Sequence, residues 1–196
     1  MLYFMAYETY TTEALVCGTK DRNTADRSYL LFTRDAGMLY ADARSVREER
    51  SRQRYALQDF SLLRVSLVKG KAGWKIGSIE PGRNFYHSAT DKSARGSVVS
   101  VVRLLRRFLH GEGTDPELYA LVISALEVLA GPLEQRAFVQ MVVQVRILAA
   151  LGYVDEKSIP ESIRTTSISE LSAQHDDVTH RAIERLYTQA VSVSHL

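Results

Sequence analysis

Five short runs of β-forming residues fill the first 80 positions, and they restrict the fold more than any other feature of the chain. Each run is rich in Val, Ile, Leu, Thr or aromatic residues, as strands are. The runs are TEALVCGT, SYLLFT, GMLYADA, FSLLRVSLV and WKIGSIE. Turn-forming residues separate them, including Asp35-Ala36-Gly37, where Gly37 is free to take a positive φ in a tight hairpin. Five strands are too few for a sandwich of two full sheets, so the pattern predicts a closed five-stranded barrel of the OB-fold type.

Beyond Pro81-Gly82 the apolar residues recur at helical spacing. The first predicted helix, Ser97–His110, carries an apolar stripe of Val98, Val101, Val102, Leu105, Phe108 and Leu109. Asp115 can cap a second helix from Pro116 to Ala130. A third, from Leu133 to Leu151, is apolar nearly all round, which indicates the centre of a bundle, and a last helix spans Asp177–Val193. We therefore predict a mixed α+β protein, with an N-terminal OB-fold β-barrel over residues 1–80 and an all-α helical domain of four or five helices over residues 81–196.

Charge is distributed unevenly between these two parts. The 25 basic and 23 acidic residues give a net charge of only +2. Residues 1–114, however, hold 19 Lys and Arg against 12 Asp and Glu, whereas residues 115–196 hold 6 against 11. A basic half of this kind is typical of a surface that binds a polyanion, and nucleic acid is the first candidate.

The strongest local signal is a cluster of five arginines within residues 44–54, which we call the arginine loop. Guanidinium groups pair with phosphate oxygens and stay charged, so they hold a nucleic-acid backbone without reading its sequence. Basic walls with aromatic stacking platforms are typical of single-strand binding by OB-folds, and we predict that Tyr40 and Trp74 are exposed for stacking. The candidate DNA-binding residues are Arg22, Arg34, Arg44, Arg47, Arg50, Arg52, Arg54, Lys69, Lys71, Lys75, Tyr40 and Trp74. The alternative is a solubilising loop whose arginines pair with its own Glu48 and Glu49.

A second basic group lies on the first predicted helix. Arg103, Arg106 and Arg107 share one side of that helix because of their spacing. They are candidates for contact with nucleic acid or with an acidic partner. A solvated face near the C-terminal end of the helix dipole explains the same pattern equally well.

Signals for catalysis are weak. The motifs GxxxxGK[ST], GxSxG and HExxH do not occur. The single cysteine, Cys17, rules out an internal disulfide framework or a CxxC zinc site, and His175, Asp176 and His180 lack a further specified metal ligand. We therefore expect no catalytic residue, no metal and no cofactor. The apolar start, MLYFMAY, is too short for a signal peptide or a membrane span, and we expect a cytoplasmic, nucleoid-associated protein.

Several segments follow one another in an order typical of a known family. They are the strand end Leu31-Phe32-Thr33, the hairpin glycine Gly37, Ala41 and Arg44 ahead of a basic serine-containing loop, and LQDFSLLRVSLVKGK at Leu57–Lys71. Leu151-Gly152-Tyr153 and the ending Ser194-His195-Leu196 agree as well. These segments resemble the bacterial recombination mediator family RecO. The chain departs from that family at Asp42, where a basic residue is usual, and its single cysteine cannot form the four-cysteine zinc module of many members.

The resemblance implies a non-enzymatic protein of recombinational repair, built from an OB-fold and a helical domain. It implies that the protein binds single- and double-stranded DNA, anneals complementary strands, and works with RecR to load RecA onto strands coated by single-stranded-DNA-binding protein. It also implies docking of the acidic C-terminal tail of that coating protein, for which Arg103, Arg106 or Arg107 is a candidate. Two alternatives stay open: an OB-like module whose arginines bind an acidic protein surface, and a metal-dependent nuclease that uses His175, Asp176 and His180.

Overall fold

The computed structural model describes residues 9–22, 24–48, 51 and 53–193. The β-rich part of the chain forms strands in the order that the sequence predicts, and a short helix lies between the third and fourth of them. Its elements are β1 (Thr9–Asp21), β2 (Arg27–Thr33), β3 (Gly37–Ala43), α1 (Gln53–Ala56), β4 (Ser61–Gly70) and β5 (Gly73–Asn84). The opening segment MLYFMAY lies outside the described residues.

These strands close into a barrel in the order β1-β2-β3-β5-β4, with β4 paired back to β1. All pairings are antiparallel except that of β3 with β5, which runs parallel and aligns Ala41 with Trp74. Strand β1 closes the barrel because its first half pairs with β4 and its second half with β2, and an irregularity between Val16 and Gly18 lets it change direction. The predicted OB-fold barrel is confirmed.

The interior of the barrel is filled by the inward-facing residues of every strand. Leu31 and Leu67 are fully buried in this core. The other buried residues of the core include Ala14, Val16, Tyr29, Leu39, Leu63, Val65 and Trp74. Burying a leucine side chain contributes roughly 1.5–3 kcal/mol, so this set dominates the stability of the barrel. The same alternation turns the intervening residues of each strand to the outside of the barrel, where some of them, such as Leu15 and Phe32, are also buried.

In the remaining chain the structure describes helices, bounded as α2 (Lys92–Phe108), α3 (Pro116–Ala130), α4 (Arg136–Ala150), α5 (Glu161–Thr165) and α6 (Asp177–Val193), with 3₁₀ turns at Glu156–Ser158 and Ile168–Gln174. The predicted bounds of α3 and α6 agree with the structure. Helix α4 is the buried centre that its composition predicts, since Phe138, Val142 and Leu148 are each at most 1% exposed. Among the described residues, no helix combines the length and the apolar character needed to cross a bilayer.

Helix α2 begins five residues earlier than Ser97, where the sequence places its start. The Asp91 side chain accepts a hydrogen bond from the Ala94 backbone N–H at 2.8 Å and caps the helix. This cap offsets the cost of the helical Gly96, roughly 1 kcal/mol relative to alanine. The predicted apolar stripe is nevertheless buried along α2, from Val98 to Phe108.

The chain divides into two compact units. The first holds the barrel through Asn84 together with residues His110–Pro116, which we call the crossing segment because it joins α2 to α3. The second holds residues Phe85–Leu109 and the chain from Glu117 onward. These units differ from the predicted domains of 1–80 and 81–196 in assigning residues 81–84 and the crossing segment to the barrel.

Candidate nucleic-acid interface

The outer surface of the barrel carries a row of polar residues across four strands. In strand register, Lys20 of β1 lies beside Ser28 of β2, Ser28 beside Asp42 of β3, and Asp42 beside Lys75 of β5. Trp74, the neighbour of Lys75, lies in the barrel core, so Lys75 lies on the outer face. The row therefore has one lysine at each end, with Asp42 between them.

A shallow cleft of about 330 Å³ opens over this row, and we call it the strand cleft. Its lining is Lys20, Arg22, Ser28, Tyr40, Asp42, Ala72, Gly73 and Trp74. The predicted exposure of Tyr40 is confirmed: the residue is 57% exposed on β3, two positions from Asp42. The β1–β2 loop and the β4–β5 turn border the cleft, and in OB-folds this face and these two loops bind oligonucleotides.

The prediction that Trp74 is an exposed stacking platform is wrong. Trp74 is only 7% exposed, because the alternation of β5 turns its ring into the barrel core. Tyr10 packs against it edge to face, with ring centres 5.6 Å apart. Trp74 lines the strand cleft but is largely buried, and Tyr40 is the exposed aromatic residue of its lining.

Trp74 and Lys69 are both held by Glu112 of the crossing segment. The Trp74 Nε1–H donates to Glu112 Oε1 at 2.8 Å, and Lys69 Nζ donates to Glu112 Oε2 at 2.9 Å. Lys69 also lies 4.8 Å from the centre of the Trp74 ring. Lys69 does not line the strand cleft. It lines another cavity, of about 580 Å³, whose lining also includes Tyr10 and Thr114.

These contacts make the anchoring of the crossing segment dependent on pH. Hydrogen bonds from Trp74 and then from Lys69 lower the pKa of the Glu112 carboxyl. A folded pKa below the unfolded value means that Glu112 stabilises the barrel above about pH 4.3, the ordinary glutamate pKa, and that this contribution is lost as the pH falls through the folded value. We expect the fluorescence of Trp74, the single tryptophan, to change over this acidic range.

The matched variant for this pH prediction is Glu112→Gln. The glutamine does not titrate, so its Trp74 fluorescence should lack the acidic transition that the parent protein shows. Superimposable titration curves for the two proteins between pH 7 and pH 3 would contradict the role assigned to Glu112.

The first part of the arginine loop lies against the β1–β2 loop. The Ser45 backbone N–H donates to the Asp26 carboxylate at 2.9 Å, and that of Arg47 to the Ala25 carbonyl at 3.1 Å. Arg47 Nη1 lies 3.7 Å from the Asp21 carboxylate, and Arg44 is exposed. Arg44 and Arg47 therefore stand near one border of the strand cleft. Arg50 and Arg52 lie outside the described residues.

Other predicted DNA-binding residues occupy separate positions. Arg54 is exposed on α1, where its guanidinium lies 5.0 Å from the Tyr55 ring centre. Arg34 lies in the β2–β3 turn, 3.8 Å from Glu13, at the opposite end of β2 from the strand cleft. Lys71 is exposed in the β4–β5 turn, next to the cleft. The structure thus brings Arg22, Lys71, Lys75 and Tyr40 together and leaves Arg34, Arg54 and Lys69 elsewhere.

Sequence reasoning missed Lys20 and Ser28. Both lie beside predicted residues only through the pairing of β1 with β2 and of β2 with β3. The alternation of β2 gives a partial signal, because Tyr29 lies in the barrel core and its neighbour Ser28 lies on the opposite side of the strand, where it is 8% exposed. The partners of Ser28 across the sheet cannot be read from any single segment.

Helix α2 exposes its predicted arginines. Arg103, Arg106 and Arg107 are exposed, as their spacing indicates. Arg107 Nη2 donates to the Val191 carbonyl at 3.3 Å, and its guanidinium lies 5.2 Å from the Phe108 ring centre. Arg107 therefore has a structural role in the helical unit, whereas Arg103 and Arg106 extend toward solvent.

The histidine pair that a nuclease would require is used in packing. His175 Nε2 lies 3.3 Å from His180 Nδ1, and both rings contact Phe138. Asp176 accepts hydrogen bonds from the hydroxyl and backbone N–H of Thr179, which lower the pKa of its carboxyl and cap α6. Within the described part of the chain, no group of three or more His, Cys, Asp and Glu is arranged to hold a metal ion.

Comparison with known proteins gives one consistent result. The family model described as "Recombination protein O N terminal" matches residues 5–83. "DNA repair protein RecO" of Desulfitobacterium hafniense (strain DSM 10664 / DCB-2) is 30% identical over 144 residues, which cover 74% of this chain and 52% of that protein. The protein of the same name from Myxococcus xanthus (strain DK1622) is 32% identical over 136 residues, which cover 67% of this chain and 56% of that protein.

A third relative, "DNA repair protein RecO" of Heliobacterium modesticaldum (strain ATCC 51547 / Ice1), is 30% identical over 153 residues, covering 76% of this chain and 54% of that protein. The chain spans a little over half the length of these curated relatives. The matched family model coincides with the barrel that carries the strand cleft. The N-terminal barrel therefore belongs to the family of RecO N-terminal domains, and the chain is similar to proteins named DNA repair protein RecO over 67–76% of its length.

Proposed function

We propose that this chain is a non-enzymatic DNA-binding protein of recombinational repair that holds single strands in the strand cleft. The observation that carries the proposal is the exposed ring of Tyr40 on a face that also presents Lys20, Arg22 and Lys75. An exposed aromatic ring stacks on any base, and lysine or arginine beside it neutralises the backbone. The cleft thus offers both parts of a sequence-independent single-strand site.

Binding of this kind depends strongly on salt. Each phosphate that the protein neutralises releases counterions and contributes about −0.7 to the log–log slope of affinity against salt for a single strand. About five contacts, supplied by the cleft residues and by Arg44, Arg47 and Lys71 at its borders, give an expected slope of roughly −3 to −4.

The test is a fluorescence-anisotropy titration of a labelled oligothymidine at several sodium chloride concentrations. Oligothymidine has no stable base pairing, so it measures single-strand binding alone. We expect binding at low salt and the slope given above. A slope near zero, or no binding at low salt, would contradict the proposal and favour the alternative in which the barrel arginines bind an acidic protein surface.

The proposal also includes the finer activities, of which annealing is the one that the cationic surface supports. Annealing requires that two strands have their phosphates neutralised while their base edges stay free to pair, and cations that contact only the backbone meet that need. We extend the proposal to double-stranded DNA, and to joint action with RecR in loading RecA onto strands coated by single-stranded-DNA-binding protein. For the acidic tail of that coating protein, the exposed Arg103 and Arg106 are better candidates than Arg107, which is already bonded to Val191.

A further inference from the structure

One carboxylate lies in the middle of the cationic row of the strand cleft. Asp42 stands on β3 between Ser28 and Lys75, and its side chain is 20% exposed. The Arg22 guanidinium donates a hydrogen bond to it from the β1–β2 loop, and the Arg22 side chain is 55% exposed. The fixed partner is therefore the aspartate on its strand, and the more mobile partner is the arginine on its loop.

This pairing opposes DNA binding in two ways. A carboxylate and a phosphate offer a guanidinium similar pairs of oxygens, so Arg22 cannot give its full set of donors to both. The negative charge of Asp42 also repels any phosphate that passes over the row between Lys20 and Lys75. Both effects disappear if the carboxylate is replaced by a neutral group of the same shape.

We infer that Asp42 occupies Arg22 in place of a DNA phosphate and thereby limits the affinity of the strand cleft for single strands. This inference rests on the proposed function and names a residue that limits the affinity of the strand cleft for single-stranded DNA. A phosphate must displace Asp42 from Arg22 before it gains that contact. The chain is thus tuned for weaker and more reversible binding than its basic residues alone indicate.

The experiment compares Asp42→Asn with the parent protein in the oligothymidine titration. We expect roughly three- to ten-fold tighter binding at low salt, and a slope more negative by about 0.7, because one further phosphate contact forms. Adding Arg22→Ala to Asp42→Asn should remove the part of this gain that passes through Arg22, including the change in slope, and leave only the part that comes from the lost repulsion. If the asparagine variant unfolds, Asp42→Ser serves the same purpose, and far-UV circular dichroism checks the fold of each variant.

The matched control is Glu13→Gln. Glu13 also faces an arginine of the barrel, Arg34 at 3.8 Å, but it does not line the strand cleft. The control changes the net charge by the same amount and should leave binding within about two-fold of the parent, a change expected of surface charge alone.

The outcomes separate the inference from the proposed function. If the parent protein binds with the expected slope but Asp42→Asn binds no more tightly, the inference is overturned and the proposed function stands. An equal gain in Glu13→Gln overturns the inference too, because it assigns the effect to net charge. If neither the parent nor Asp42→Asn binds at low salt, both are overturned.

Discussion

Replacing Tyr40 with alanine and both Lys20 and Lys75 with glutamate should weaken binding of oligothymidine by roughly 100-fold at low salt. Loss of the Tyr40 ring removes base stacking worth about 1–3 kcal/mol. Each charge reversal replaces attraction of a phosphate with repulsion, and the salt slope should become shallower by about 1.4, the loss of two contacts. All three residues lie on the outer face of the barrel, so the core residues beneath them are unchanged.

The control carries the same kinds of change away from the strand cleft. Tyr55→Ala removes a tyrosine that is 64% exposed, more than Tyr40, and Lys157→Glu with Arg164→Glu reverses two exposed charges of the helical unit. We expect this triple variant to retain affinity within about three-fold of the parent. A comparable loss in both triple variants would show that binding follows net charge, and would remove the strand cleft from the proposed function.

Replacing Gly37 with alanine should destabilise the barrel by roughly 2–4 kcal/mol. Gly37 has a φ of +68°, so its predicted positive φ is confirmed, and any other residue is strained there. A Cβ atom would also lie 2.4 Å from the Gly113 carbonyl oxygen and 2.7 Å from the Gly113 nitrogen. These backbone atoms belong to the crossing segment. The Met38 backbone N–H donates to the Gly111 carbonyl, and the Thr114 hydroxyl donates to the Asp35 carbonyl. Because these bonds hold the segment in place, relief of the clash requires that the segment shift.

Gly73→Ala separates the two causes. Gly73 also has a positive φ, +106°, but a Cβ there meets no atom within 4 Å. Its variant therefore carries backbone strain alone, and Gly37→Ala should cost at least about 1 kcal/mol more. Urea unfolding followed through Trp74 fluorescence reports on the barrel specifically, since the single tryptophan lies in its core. Equal unfolding midpoints for the two variants would contradict the tight packing of Gly37 against the crossing segment.

Much of the fold could be predicted from local residue patterns. The five strands, the hairpin at Gly37 and the bounds of α3 depend on neighbouring residues, whose alternation, turn chemistry and capping act over a few positions. The start of α2 was predicted too late, because the apolar stripe begins at Val98, whereas the cap, Asp91, lies six residues before the predicted start. The exposure of Tyr40 was predicted, whereas the burial of Trp74 was not, because it depends on which face of β5 meets the core.

The candidate site was only partly predictable, because it is assembled across strands. Arg22 and Asp42 are 20 residues apart in the chain and lie together only because β1, β2 and β3 are neighbours. Glu112 is 38 residues from Trp74 and reaches it through a segment between two helices. Neither pairing can be predicted from the local sequence, because aspartate and glutamate are common on protein surfaces whether or not they have a partner.

Residue order alone determined that this chain forms a small barrel followed by helices, and that its first part carries an excess of positive charge. The tertiary structure decided which of those charges act together. Strand register places Lys20, Asp42 and Lys75 in one row, turns Trp74 inward, and gives Arg22 and Lys69 carboxylate partners. The physical reason is the distance along the chain over which each effect acts. Secondary-structure propensity and periodicity act within one segment, whereas the electrostatics of a surface depend on distances between segments, which are set only when the barrel closes.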